Sequence, residues 1–155
     1  MMENTTQPQQ EKSLEEKLQD TREEWTNIVK EISTKMKDLP GIESLLNQVY
    51  IKRQECVEYL SSLMVTYGKL QRAHKVLYAQ RYNFYKTSAQ LRYSNDSAIS
   101  TQIDAEPQMN ELNEKLDLIR VHVEAMRETL KTIDNLIYGI SQRTRIYEML
   151  NGLKF

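Results

Sequence analysis

The sequence predicts an all-α protein of long antiparallel helices with coiled-coil-like seams, assembling into a homo-oligomer whose expected form is a ring. Three observations predict it. Only four Gly and three Pro interrupt 155 residues that are 39% apolar and 28% charged, a composition of long helices. Apolar residues recur at steps of three and four along most of the chain. One such stretch, from Ile42 to Arg92, would make a helix about 75 Å long at 1.5 Å per residue, more than a small globule can bury.

Each element has its own signal. Residues 1–12, rich in Gln, Thr and Asn, are expected to form a disordered tail, and 13–155 a single helical domain. Ser13 stands three residues before Glu16, the spacing of a capping box, and opens a helix over 13–39. Leu14, Leu18, Trp25, Val29, Ile32, Met36 and Leu39 give that helix one apolar face. Pro40-Gly41 ends it.

The second helix is read over 42–93. Its seam runs through Ile42, Leu46, Val49, Arg53, Cys56, Leu60, Leu63, Tyr67 and Leu70. One rail then stays apolar through Leu77, Phe84 and Leu91. The other turns polar through His74, Arg81 and Ser88. Residues 94–110 are small and polar, with Pro107 near the end, and read as a loop. Over 111–155, Leu112, Leu116, Ile119, Val123, Met126, Leu130, Ile133, Ile137 and Ile140 alternate steps of four and three, a heptad seam that implies a partner helix. The end of the chain carries more apolar surface than it can bury alone. Ile137, Ile140, Arg143, Ile146, Tyr147, Leu150, Leu153 and Phe155 are therefore the expected oligomerisation residues.

Charge is distributed unevenly. No acid lies between Glu58 and Asp96, while Lys69, Arg72, Lys75, Arg81, Lys86 and Arg92 do. Seven of the twelve aromatics share that window. Residues 1–58, 59–95 and 96–155 carry −4, +6 and −3, so a near-neutral total conceals a basic, tyrosine-rich centre. Cations track a phosphate backbone and aromatic faces stack on unpaired bases. On a helical wheel Lys75, Tyr82, Lys86 and Tyr93 form one stripe of alternating cation and ring. The candidate nucleic-acid-binding residues are Lys69, Arg72, Lys75, Tyr78, Arg81, Tyr82, Tyr85, Lys86, Arg92 and Tyr93. Competing readings of the stripe are a solvated helix face and a surface for an acidic protein. Arg81 occupies a seam position, where it either sets register or faces a bound strand.

Other classes lack a signal. Cys56, the lone cysteine, fits a small core residue in a reducing compartment. His74 and His122 have no neighbours at metal-ligand spacing, so no metal is expected. With no glycine-rich phosphate loop and no evident nucleophile-base arrangement, neither an enzyme nor a cofactor is expected. No run of 18 apolar residues exists, and the N-terminus lacks the apolar stretch of a signal peptide, so no membrane partner is expected.

The order of features resembles the UvsY-type recombination mediators of T-even-like bacteriophages. Ala79-Gln80-Arg81-Tyr82-Asn83-Phe84-Tyr85 looks like that family's basic-x-basic segment with paired aromatics. The polar loop after it, and Ile140 to Phe155 with its Arg143 and final Lys154-Phe155, look like the family's loop and C-terminal helix. The likeness spans Leu45 to Phe155 and is one of pattern and order at low identity. Ala79 stands at the first basic position, Lys86-Thr87-Ser88 replaces a Ser-Gly, and one residue is missing near the C-terminus. The resemblance implies a single-stranded DNA-binding mediator without catalytic activity, acting in the cytoplasm of a bacterial host. Such a protein weakens the hold of a single-strand-binding protein and loads a RecA-like recombinase. It works as a ring, here expected to have six or seven subunits. Arg81 would be the surviving basic residue of the DNA-binding segment. The alternative is a non-enzymatic coiled-coil scaffold or assembly chaperone of a phage, which explains the seams but leaves the acid-free window to chance.

Overall fold

The computed structural model describes residues 11–88 and 95–152. Four α-helices follow one another: α1 Leu14–Lys35, α2 Ile42–Thr87, α3 Asp96–Asp104 and α4 Pro107–Gly152, with a single 3₁₀ turn at Leu39–Gly41 between the first two. The described residues contain no strand. The fold is all-α, and no described helix is long and apolar enough to cross a membrane.

α1 begins where its cap predicts. Ser13 Oγ accepts from the Glu16 amide at 3.2 Å, and Glu16 Oε2 accepts from the Ser13 amide at 2.8 Å. Leu18, Trp25 and Ile32, seven residues apart, are its buried face. The helix stops at Lys35, a turn earlier than expected, and the chain reverses through the 3₁₀ turn at Pro40.

α2 and α4 each span 46 residues, about 69 Å at 1.5 Å per residue. They run antiparallel as a hairpin, since Tyr59 meets His122, Arg53 meets Asp134, and Arg81 meets Glu106. Ile119, Val123, Met126, Ile133 and Ile140 of α4 pack with Ile42, Leu45, Val49, Cys56 and Leu63 of α2 in one core. Arg53, on the expected seam, sends its guanidinium out to Asp134 at 2.6 Å. Leu118 and Leu136, off the α4 seam, pack on the same core, because α4 serves two neighbours. α1 is the second. It lies parallel to α4, with Met36 Cε only 3.1 Å from a Cβ built at Gly139 and the Met36 carbonyl accepting from Arg143 at 2.9 Å.

His122 is the one buried polar residue among those described, 1% exposed at the junction of α1, α2 and α4. Its Nε2 shares a 2.7 Å hydrogen bond with Tyr59 Oη, and its ring meets Tyr59 edge to face. Burial, with a smaller contribution from the Arg22 charge, lowers its pKa below the ordinary imidazole range. Folding therefore favours the neutral ring. That contribution is complete above the unfolded value of about 6.5 and is lost as pH falls through the lower folded value. Melting temperature is expected to drop between pH 7 and 5.5, and the drop should be smaller in His122→Leu. Equal slopes in the two proteins would place the acid sensitivity elsewhere.

Residues 94–110 do not form a single loop. α3 occupies the middle of that segment, capped by Asn95 Oδ1 accepting from the Ala98 amide at 2.8 Å. Ile99 and Ile103, one turn apart, are fully buried with Met109 and Tyr85 in a second, smaller cluster. Two anchors in a polar helix are too few for a periodicity to register. Pro107 opens α4, where its missing N–H does no harm.

The expected oligomerisation residues divide. Ile140 is fully buried, Ile137 and Tyr147 pack on the chain's own core, and Arg143 is tied to Met36. The end of α1 and the start of α2 reach far enough to cover Ile140 fully and Ile137 and Tyr147 in part, while Arg143 stays exposed. Beyond that point α4 overhangs the bundle, and Ile146 and Leu150 stay 53% and 52% exposed, as does Met149 at 66%. Leu153 and Phe155 lie outside the described residues, as do Leu91, Arg92, Tyr93 and most of the 1–12 tail.

Candidate nucleic-acid interface

The acid-free window becomes the distal half of α2. Thr21 of α1 lies against Tyr59, and α1 starts at Leu14, so among the described residues the distal half of α2 has α4 and α3 beside it. That half of the hairpin is an arm, with α3 folded across its tip.

Tertiary structure brings acids to the window that the sequence separates from it. Arg81 Nε donates to both Glu106 carboxylate oxygens, at 2.9 and 2.8 Å, and Nη2 donates to Oε1 at 2.7 Å. Tyr85 Oη donates to the same oxygen at 2.5 Å. The side chains of Arg81 and Glu106 are 31% and 16% exposed, so water screens this fork only in part. Hydrogen bonding from Arg81 holds the Glu106 carboxyl below its usual range and raises Arg81 further. At the tip, Tyr82 Oη donates to Asp96 Oδ1 at 2.7 Å and Lys86 Nζ stands 3.5 Å from the same atom. The Tyr82 hydrogen bond and the Lys86 charge hold Asp96 low.

The ten candidates therefore separate into four groups. Tyr85 is buried, so no base can stack on it while α3 is docked; burial against Ile99 and Ile103 overrides its place in the motif. Arg81 is held by Glu106, which favours a register role for it over strand contact. Tyr78 and Tyr82 are half-buried against the small cluster, and Lys86 is exposed but engaged with Asp96 and 6.0 Å from the Tyr82 ring centre. Lys69, Arg72 and Lys75 are exposed and have no ion pair among the described residues. They follow one another at steps of three along the arm, each step turning about 60° around the helix. Arg92 and Tyr93 lie outside the described residues.

One residue escapes the sequence pattern. Phe84 is assigned there to the apolar rail, yet it is 43% exposed and carries the Arg81 guanidinium 4.5 Å above its ring. The rail continues past the point where α4 can cover it, because α4 begins at Pro107. A fixed hairpin register would have located that point, but periodicity alone does not.

The described residues contain no cluster of three or more His, Cys, Asp or Glu placed to hold a metal. Comparison with protein-family models, with curated proteins and with solved structures finds no match to this chain.

Proposed function

We propose that this chain is a single-stranded DNA-binding mediator of recombination that acts as a homo-oligomer and helps load a RecA-like recombinase onto DNA held by a single-strand-binding protein. The DNA-binding part of the reading rests on one observation. Lys69, Arg72 and Lys75 form an exposed cationic line on an α2 that carries no acid after Glu58, with the Tyr82 and Phe84 rings at its far end. A phosphate backbone can follow that line, and rings at the tip offer stacking faces. The recombination role comes from the resemblance to the phage mediators. Self-association is supported by the exposed apolar overhang of α4.

The test is fluorescence anisotropy with an oligo(dT) strand at several salt concentrations. Three neutralised phosphates give a log-log slope of about −2 per subunit, using roughly 0.7 for each on a single strand. The triple variant Lys69→Ala/Arg72→Ala/Lys75→Ala is expected to lose most affinity and to flatten the slope. Wild-type affinity in that variant would remove the DNA-binding assignment.

The second reading, a phage scaffold or assembly chaperone, is favoured by a different observation. Arg81, Tyr82, Tyr85 and Lys86 are already satisfied by Asp96 and Glu106 within the chain. An arm whose charges serve its own packing needs no nucleic acid. Absence of binding at low salt would decide for it.

A further inference from the structure

A cleft of about 490 Å³ opens between the start of α1 and the first third of α4. Its walls carry two unsatisfied polar atoms. Among the described residues Arg22 Nε and His122 Nδ1 are buried with no hydrogen-bond partner, and Arg22 has no ion pair. Leu18, Leu118 and the half-exposed Val121 supply apolar surface beside them. Glu15 and Glu114, also without ion pairs among the described residues, give the cleft an acidic side. Both atoms lie beneath the surface, so the polar feature an occupant can reach on this wall is the charge of the part-exposed Arg22, which suits a carboxylate. The occupant also needs an apolar group and a cation for the two glutamates.

The overhang of α4 carries that set. Arg145, Glu148 and Met149 stand at i, i+3 and i+4, on one helix face. All three are exposed, and neither charge has an ion pair among the described residues. We propose that the α4 overhang of one copy docks in the α1–α4 cleft of the next. Glu148 then meets Arg22, Arg145 meets Glu15 and Glu114, and Met149 covers Val121. The contact cannot form within one chain. Glu148 and Leu118 lie on the same helix, thirty residues apart, which is roughly 45 Å at 1.5 Å per residue. Because the two surfaces differ, the contact is heterologous, and it repeats head to tail until it closes a ring or grows a filament. The cleft is thus completed only by a second copy. The inference rests on the self-association in the function proposed above, not on DNA binding.

The experiment is complementation between two variants altered at exposed positions only. The first, Glu148→Lys/Met149→Asp, has a disabled overhang and an intact cleft. The second, Glu114→Lys/Val121→Asp, has a disabled cleft and an intact overhang. Light scattering is expected to give about the 18.3 kDa monomer mass for each alone. An equimolar mixture is expected to give a 1:1 pair, since one working overhang and one working cleft remain. Circular dichroism confirms that both variants stay helical, and pairing in the mixture requires each to retain its working surface. A mixture that stays monomeric, or either variant alone keeping the wild-type mass, overturns the proposal while self-association of the wild type stands. A monomeric wild type removes both.

Discussion

Replacing Trp25 with Ala is expected to undock α1 while the α2–α4 hairpin stays folded. Leu18, Trp25 and Ile32 are the buried residues of α1, with Ile28 and Val29 packed partly buried beside them, and Trp25 is the largest. Truncating a buried tryptophan costs about 3–5 kcal/mol in most cores. An isolated helix of 22 residues is marginal in water, so little else would hold α1 in place. α2 and α4 share a longer seam, with Ile42, Val49, Met126, Ile133 and Ile140 fully buried. Some of those side chains also touch α1, so the hairpin is expected to lose stability without losing structure. Hydrogen exchange separates the two. Amides of α1 should exchange fast in the variant while those around Met126 stay slow. Uniform acceleration across all helices would show one cooperative unit instead. α1 also forms a wall of the cleft proposed to receive a second copy, so the same variant should lower the assembly mass.

Glu106→Ala is expected to loosen the arm tip by about 1–3 kcal/mol, the range for stranding the partners of a part-buried polar group. It removes the acceptor for both Arg81 and Tyr85, and the Tyr85 ring packs with Ile99 and Ile103 of α3. The pH dependence carries a sign. The Glu106 carboxyl is lower in the folded chain, chiefly through its hydrogen bonds from Arg81. Its contribution is therefore complete above the unfolded value of about 4.3 and is lost as pH falls through the folded value. Denaturant melts at pH 7 and pH 3.5 should show the wild type approaching the variant in acid. If the two already agree at pH 7, Arg81 and Glu106 do not hold the tip. Arg81→Lys should behave much like Glu106→Ala, because a lysine cannot present the fork that Glu106 receives. Under the proposed function Glu106→Ala should also bind single-stranded DNA more tightly, since it releases Arg81.

The parts of the fold that were readable from residues alone share a physical origin. The capping box at Ser13 and Glu16, the chain break around Pro40 and the α4 pattern from Ile119 to Ile140 are local, and each depends on neighbours within a few residues, although α1 itself ends a turn earlier at Lys35. α3 was missed because its two anchors, Ile99 and Ile103, sit among Ser, Thr and Asp, and their burial depends on Tyr85 and Met109 from other elements. Ile137 and Ile140 were read as a surface for another copy because a heptad seam does not say whose helix fills it. α1 and α2 of the same chain fill it here. The candidate site was half legible. Lys69, Arg72 and Lys75 remain an exposed line, whereas Tyr85 and Arg81 belong to the interior of the arm.

By itself the sequence determined that the chain is helical, where its first helix starts, and that one stretch of α2 carries cations with no acids among them. These follow from capping chemistry, from the spacing of apolar side chains and from the order of charges, all of which are linear properties. Only the tertiary structure decided which of those charges face solvent. The antiparallel return of the chain sets Glu106 on Arg81 and Asp96 beside Lys86, pairs separated by 25 and 10 positions. It also ends the cover over α4 near Tyr147, leaving Ile146, Met149 and Leu150 bare. Register between α2 and α4 is a property of the packed pair, fixed by side-chain fit across the seam, and no single helix carries it.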